Sequence, residues 1–203
     1  MRRGAVPART WTWGWGIGLT AVGAAQFAAA PLVSDRGQRA ELLLGGAKSV
    51  LGLFPILVTP LTVMRDARRL DERLAAAGAA ADDCKSGVLA EAERMLVAAA
   101  WRENFGKSWL QHMGVLVVNI GVGLTLGLGY GRWITGAVGS AVGIAVGETI
   151  IYTQPRQSVD ALARYRAGIL DAAPAGGVGS WFVVPTVDTR VGLLTGVTLV
   201  STF

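Results

Sequence analysis

The sequence predicts a mostly α membrane protein: four transmembrane helices, two of them forming a glycine-rich hairpin, an amphipathic helical middle region and a short C-terminal β-hairpin. Three observations carry this. Hydrophobic residues make up 52% of the chain and charged residues only 16%. An ordinary soluble domain has about 25% charged residues, so this chain has too little charge to coat a globule in water. Four apolar runs approach the ~20 residues a helix needs to cross a hydrocarbon core of about 30 Å. Glycine, at 28 residues, recurs through the last two runs at a spacing of four. On that basis the chain divides into 1–64, a membrane region of two spans; 65–112, a polar amphipathic region; 113–152, the hairpin; and 153–203, an amphipathic helix, linker and β-hairpin.

The first span covers Trp11 to Val33, behind Arg2, Arg3 and Arg9. Trp11, Trp13 and Trp15 stand where an interfacial aromatic belt would lie. The same segment also fits a cleaved signal peptide, with small residues at Gly23/Ala25 or Ala28/Ala30 as cleavage sites and residues 1–25 then lost. The second span covers Leu42 to Met64. Pro55 and Pro60 are expected to kink it, and Lys48 to snorkel to the nearer interface, unless the span starts near Ser49.

Between Arg65 and Gln111 the chain turns polar. Leu70 and Leu74 share one helical face in "RDARRLDERL". A second amphipathic helix leads into "WRENFGKSWLQH", where Trp101, Phe105 and Trp109, four apart, predict one aromatic stripe flanked by Arg102 and Lys107. Such a helix suits a membrane surface, and with nothing else in the sequence supporting it nucleic acid is not an expected partner.

From Asn119 to Tyr130 large and small residues alternate strictly, the pattern of a membrane β-strand. Length decides otherwise. The runs Met113–Tyr130 and Trp133–Tyr152 hold 18 and 20 residues. As strands each would reach close to ~60 Å, twice the bilayer core, whereas as helices they reach about 27 and 30 Å. Asn119, Gly123 and Gly127 recur every four residues, as do Gly139, Gly143 and Gly147. Small residues at that spacing let helix backbones approach closely in lipid. The expected partners are therefore the lipid bilayer and, through these ridges, a second copy of the chain.

Charge sets the expected topology. Fifteen of the nineteen Lys and Arg residues fall on the side of the N-terminus if all four spans cross. That bias predicts a bacterial inner (cytoplasmic) membrane with both termini inside. The alternative is an exported cell-envelope protein whose last strand, ending in Phe203, is similar to the closing strand of outer-membrane barrel proteins.

The candidate polar pair is His112 and Glu148. They lie 19 residues before and 17 after Gly131, depths that differ by about 3 Å. The two side chains can therefore meet at one mouth of the hairpin, where they either lock the helices or relay protons in a small carrier. Asn119 falls opposite Gly143 and is expected to bond across the helix pair. One cysteine, Cys84, and one histidine exclude an internal disulfide and multi-ligand metal motifs. No metal site and no cofactor are expected. Ser108 precedes His112 by four residues without an acid partner, so catalysis is not evident. The expected role is structural or associative.

Beyond the hairpin, "TQPRQSVDALARYRAGIL" predicts a short amphipathic helix with Val159, Leu162 and Tyr165 on one side. A linker, "DAAPAGGVGS", leads to a segment rich in β-branched residues with a turn at Asp188-Thr189-Arg190, read as a β-hairpin.

Overall fold

In the computed structural model the backbone is described for residues 2–58, 61–77, 82–168, 180–188 and 193–202, and side chains for 6–57, 61–62, 65–76 and 87–168. Seven α-helices lie among them: α1 Arg2–Ala29, α2 Arg36–Val58, α3 Val63–Ala77, α4 Asp82–Phe105, α5 Trp109–Tyr130, α6 Trp133–Thr153 and α7 Gln157–Arg166. Four stretches are long and apolar enough to cross a membrane: Val6–Leu32, Arg36–Leu57, one within Gly87–Tyr130 and one within Trp133–Arg166. The fold is of the α membrane type.

The expected fold class is corrected at its C-terminal end. Every described element from Arg2 to Arg166 is helical. The backbone beyond pairs β1, Ser180–Asp188, with β2, Leu193–Thr202, antiparallel and with an irregularity between Thr186 and Val187. Two strands make no layer of their own, because an isolated pair has too few ladder bonds and too small an apolar face to stand as a sheet. The β-hairpin therefore does not define the class.

Two antiparallel pairs make the body. The α1–α2 pair turns through a 3-10 segment, Ala30–Leu32, that contains Pro31. Asp35 starts α2: its Oδ1 accepts from the Gln38 N–H at 2.7 Å and its carbonyl from the Arg39 N–H at 2.9 Å, satisfying first-turn donors and placing a negative charge at the positive end of the helix. Phe27 of α1 packs against Gly46 of α2, where a Cβ would come within 2.8 Å of the ring.

The α5–α6 pair turns at Gly131, in the left-handed conformation with φ 68°. Its N–H reaches Gly127 O at 3.0 Å and the Arg132 N–H reaches Leu126 O at 3.0 Å. These bonds occupy the last carbonyls of α5, a closure that needs a residue without a Cβ penalty. A Cβ on Gly136 would sit 2.8 Å from Gly123 O, and one on Gly123 would overlap Ser140 Oγ. The two backbones meet there with nothing between them.

The pairs join on two sides. α2 crosses α5 and α6. The start of α1 meets the end of α6: Trp11 Nε1 donates to Ile150 O at 3.3 Å and to Thr153 Oγ1 at 3.2 Å, and Trp15 Nε1 to Thr153 Oγ1 at 3.2 Å. Ala8, Trp11, Trp15, Ile56 and Leu61 form the buried cluster at that end. Trp11 and Trp15 are therefore core residues and only Trp13 faces outward; the heptad-like spacing 11, 15 put them on the inner face.

Two further expectations change. α2 starts at Arg36 and runs through Pro55 without ending there; Pro60 lies outside the described residues. The aromatic stripe breaks after its second member. Trp101 and Phe105 stack with centroids 5.5 Å apart, but Gly106-Lys107-Ser108 turns the chain and Trp109 opens α5. Glu103 of α4 then holds the start of α7. Its carboxylate, with the residue only 2% exposed, accepts from Ser158 N at 2.8 Å, Ser158 Oγ at 2.6 Å and Val159 N at 3.1 Å.

Candidate functional site: polar groups at three depths of the α2–α5–α6 interface

Charged and strongly polar side chains in the apolar helices lie at three depths along the α5–α6 hairpin and its contacts with α2. At the end of the hairpin away from Gly131, His112 Nδ1 lies 2.7 Å from Glu148 Oε2. The side chains are 31% and 26% exposed, partly covered by Tyr152, whose ring centroid is 6.0 Å from the imidazole. With the carboxylate ionised, Nδ1–H donates and Nε2 is left to exchange a proton with its surroundings. Lys107, a possible rival partner for Glu148, instead donates to Tyr152 O at 2.9 Å.

At the opposite end, Arg132 holds the hairpin turn to the start of α2. Its Nε and Nη2 lie 3.1 and 3.0 Å from Glu41 Oε2, and Nη1 lies 3.4 Å from Asp35 Oδ1. Arg36 stands over the Tyr130 ring at 5.9 Å. The charges at this end compensate one another.

Between these ends lies a group that spacing alone did not assemble. Lys48, mid-way along α2, does not run to an interface. Its Nζ turns inward and donates to Gly139 O of α6 at 2.9 Å. Asn119 of α5 is 7% exposed. Its Nδ2 donates to Val115 O of its own helix at 2.9 Å, and its Oδ1 has no hydrogen-bond partner. Both groups close on Gly143: a Cβ there would overlap Asn119 Oδ1 and lie 3.1 Å from Lys48 Nζ. The bond that crosses between α5 and α6 comes from Ser140, whose Oγ lies 2.8 Å from Asn119 O and 2.8 Å from Gly136 O. Asn119 thus crosses the pair with its backbone carbonyl and not its amide, because the side chain of a helical residue reaches the i−4 carbonyl more readily.

No family model, curated protein or solved structure matches this chain. The site has to be read from its own chemistry.

The structure divides the predicted glycine ridges by use. Gly123, Gly127, Gly143 and Gly147 each face a side chain of the other hairpin helix: Ser140, Trp133, Asn119 and Val115. Gly139 does not; nothing lies within 4 Å of where its Cβ would be. Gly136, outside the strict four-residue series, makes the closest backbone contact. Two open grooves lie outside the hairpin, one on α3 lined by Arg65, Arg68, Arg69, Glu72 and Arg73, and one on α4 lined by Arg94, Val97, Ala98, Trp101 and Arg102. No group of three or more His, Cys, Asp or Glu able to hold a metal occurs among the described residues. Lys48 was the residue hidden from sequence reasoning. Its only signal was a cation placed near the centre of an apolar run, twelve residues from Arg36.

Proposed function

We propose that this chain is a structural or associative protein of a bacterial inner membrane, with both termini on the cytoplasmic side and no catalytic role. The observation that carries the reading is the division of the α5–α6 surface. One face is consumed by backbone contact at Gly123 and Gly136. The other stays apolar and uncovered, with Val117, Ile120, Leu124, Leu128, Ile134 and Val138 exposed and Gly121 open beside them. In hydrocarbon such a face is solvated by lipid or by a second copy, and association there rests on close packing and not on water exclusion. The excess of Lys and Arg on the side of the N-terminus supports the orientation. The burial of Trp11 and Trp15 supports retention of residues 1–25, since their removal would strip α6 of its partners.

A second reading is favoured by one observation. The His112–Glu148 contact, half-covered at the mouth of the hairpin, has the chemistry of a proton-exchanging pair in a small proton-linked carrier.

One experiment separates them. The full chain, labelled with donor and acceptor dyes at its single cysteine, is reconstituted in vesicles over a range of lipid dilutions. The associative reading predicts energy transfer that persists well below the random-collision level and proton leak equal to that of empty vesicles. Transfer that falls to the random level, together with a leak that His112→Ala abolishes, would establish the carrier instead.

A further inference from the structure

We propose that Lys48 and Asn119 form a binding site, at mid-depth between α2, α5 and α6, for a small monovalent inorganic anion taken up with one water molecule. The inference is independent of the associative reading.

The argument begins with charge. An ammonium in the middle of a hydrocarbon layer is costly unless a counter-charge or polar partners accompany it. Gly139 O occupies one of the three N–H donors of Lys48. Two donors remain. Glu41, the carboxylate on the same face of α2, lies seven residues away, about 10 Å along the axis, and Arg132 already holds it. The His112–Glu148 pair is closed on itself at the hairpin's end. Among the described residues no carboxylate forms an ion pair with Lys48.

Asn119 contributes the opposite deficit. Its Oδ1 is a buried acceptor without a donor, which costs about 1–3 kcal/mol if left so. The neighbouring hydroxyl cannot help, because Ser140 spends its single proton on Asn119 O and Gly136 O. The site therefore presents two free donors bearing positive charge and one free acceptor, which converge on the bare backbone of Gly143.

That set selects its occupant. A cation is repelled by Lys48. A water molecule alone supplies a proton to Asn119 but leaves the charge uncompensated. A halide-sized anion accepts from Nζ, and one water of its hydration shell donates to Oδ1. The oxygen of that water accepts the remaining Nζ–H, and every polar group is then used. A Cβ at Gly143 would overlap Oδ1 and lie 3.1 Å from Nζ, so the bare backbone there is what lets the two groups converge on one point of α6.

The test is equilibrium binding of chloride-36 to the purified full chain in micelles, at fixed ionic strength, with bromide as competitor and gluconate as the oversized control. Expected are saturable binding displaced by bromide and not by gluconate, its loss in Lys48→Met, and about tenfold weaker binding in Asn119→Ala. Absence of displaceable binding in the wild type overturns the proposal. So does a Lys48→Met protein, helical by circular dichroism, that binds as the wild type does. Should Lys48→Met fail to fold, unchanged affinity in Asn119→Ala overturns it.

Discussion

Arg132, at the turn between α5 and α6, holds Glu41 of α2 with its Nη2 3.0 Å from Oε2, so the hairpin is anchored to the first helix pair at its outer end. At the other end α6 is anchored to α1 by the indoles of Trp11 and Trp15. Between these two fixed ends the ionisable side chains are Lys48 and the His112–Glu148 pair. Stability of the bundle therefore depends on a few polar bonds and on close backbone contact.

The backbone contact gives the sharpest contrast. Gly123→Leu forces a side chain into Ser140 Oγ and against Gly136 O, and overpacking of this kind costs about 1–3 kcal/mol or more. Gly139→Leu enters open space and is expected to cost less than about 1 kcal/mol, since a glycine in a helix is itself unfavourable. Thermal unfolding in micelles checks the pair. Equal losses at both positions would mean that the two ridges pack alike.

Those two glycines also show how far the sequence reaches. Run length separated helix from strand; Gly123, Gly127, Gly143 and Gly147 each lie against a side chain of the other hairpin helix. The same spacing placed Gly139 on a ridge that faces nothing, because period alone does not tell which face of a helix meets its neighbour. Trp109 failed as part of a stripe for a different reason: the helical count continues on paper through Gly106-Lys107-Ser108, while the chain turns there. Lys48 was invisible as a site because its partners, Gly139 O and the wall at Gly143, are backbone, and backbone has no sequence signal. The β-branched tail read locally as a hairpin, but two strands do not make an architectural layer.

Breaking the pair at the hairpin's mouth is expected to act on stability. His112→Ala leaves Glu148 with a lost hydrogen bond to a charged group, worth about 1.5–3 kcal/mol and less here because both side chains touch their surroundings. Glu148→Gln retains an acceptor for Nδ1–H and should lose less than His112→Ala. Unfolding midpoints of the two variants check the order, and a reversed order would show that the carboxylate has another partner.

Glu103→Ala strips three hydrogen bonds from the start of α7 in a buried setting. The orphaned Ser158 N–H and Oγ and Val159 N–H predict a loss of about 2–4 kcal/mol localised to that helix. Hydrogen exchange should accelerate across Gln157–Arg166 and stay unchanged in α5 and α6. Uniform acceleration throughout would mean that α7 is integral to the bundle.

Gly131→Ala places a Cβ on a residue with φ 68°, at a cost of about 1–2 kcal/mol. Circular dichroism should record retained helices with a lowered unfolding midpoint. An unchanged midpoint would indicate a different turn.

The most direct measurement of the central claim, that α5 and α6 cross a bilayer as a hairpin, is thiol labelling of intact bacterial cells with a membrane-impermeant reagent. Two proteins are compared: the wild type, with Cys84 alone, and Cys84→Ser carrying Tyr130→Cys beside the turn. The account predicts labelling of the Tyr130→Cys protein in intact cells and of Cys84 only after lysis. Labelling of both before lysis, or extraction of the chain from membranes by alkaline carbonate, would contradict it.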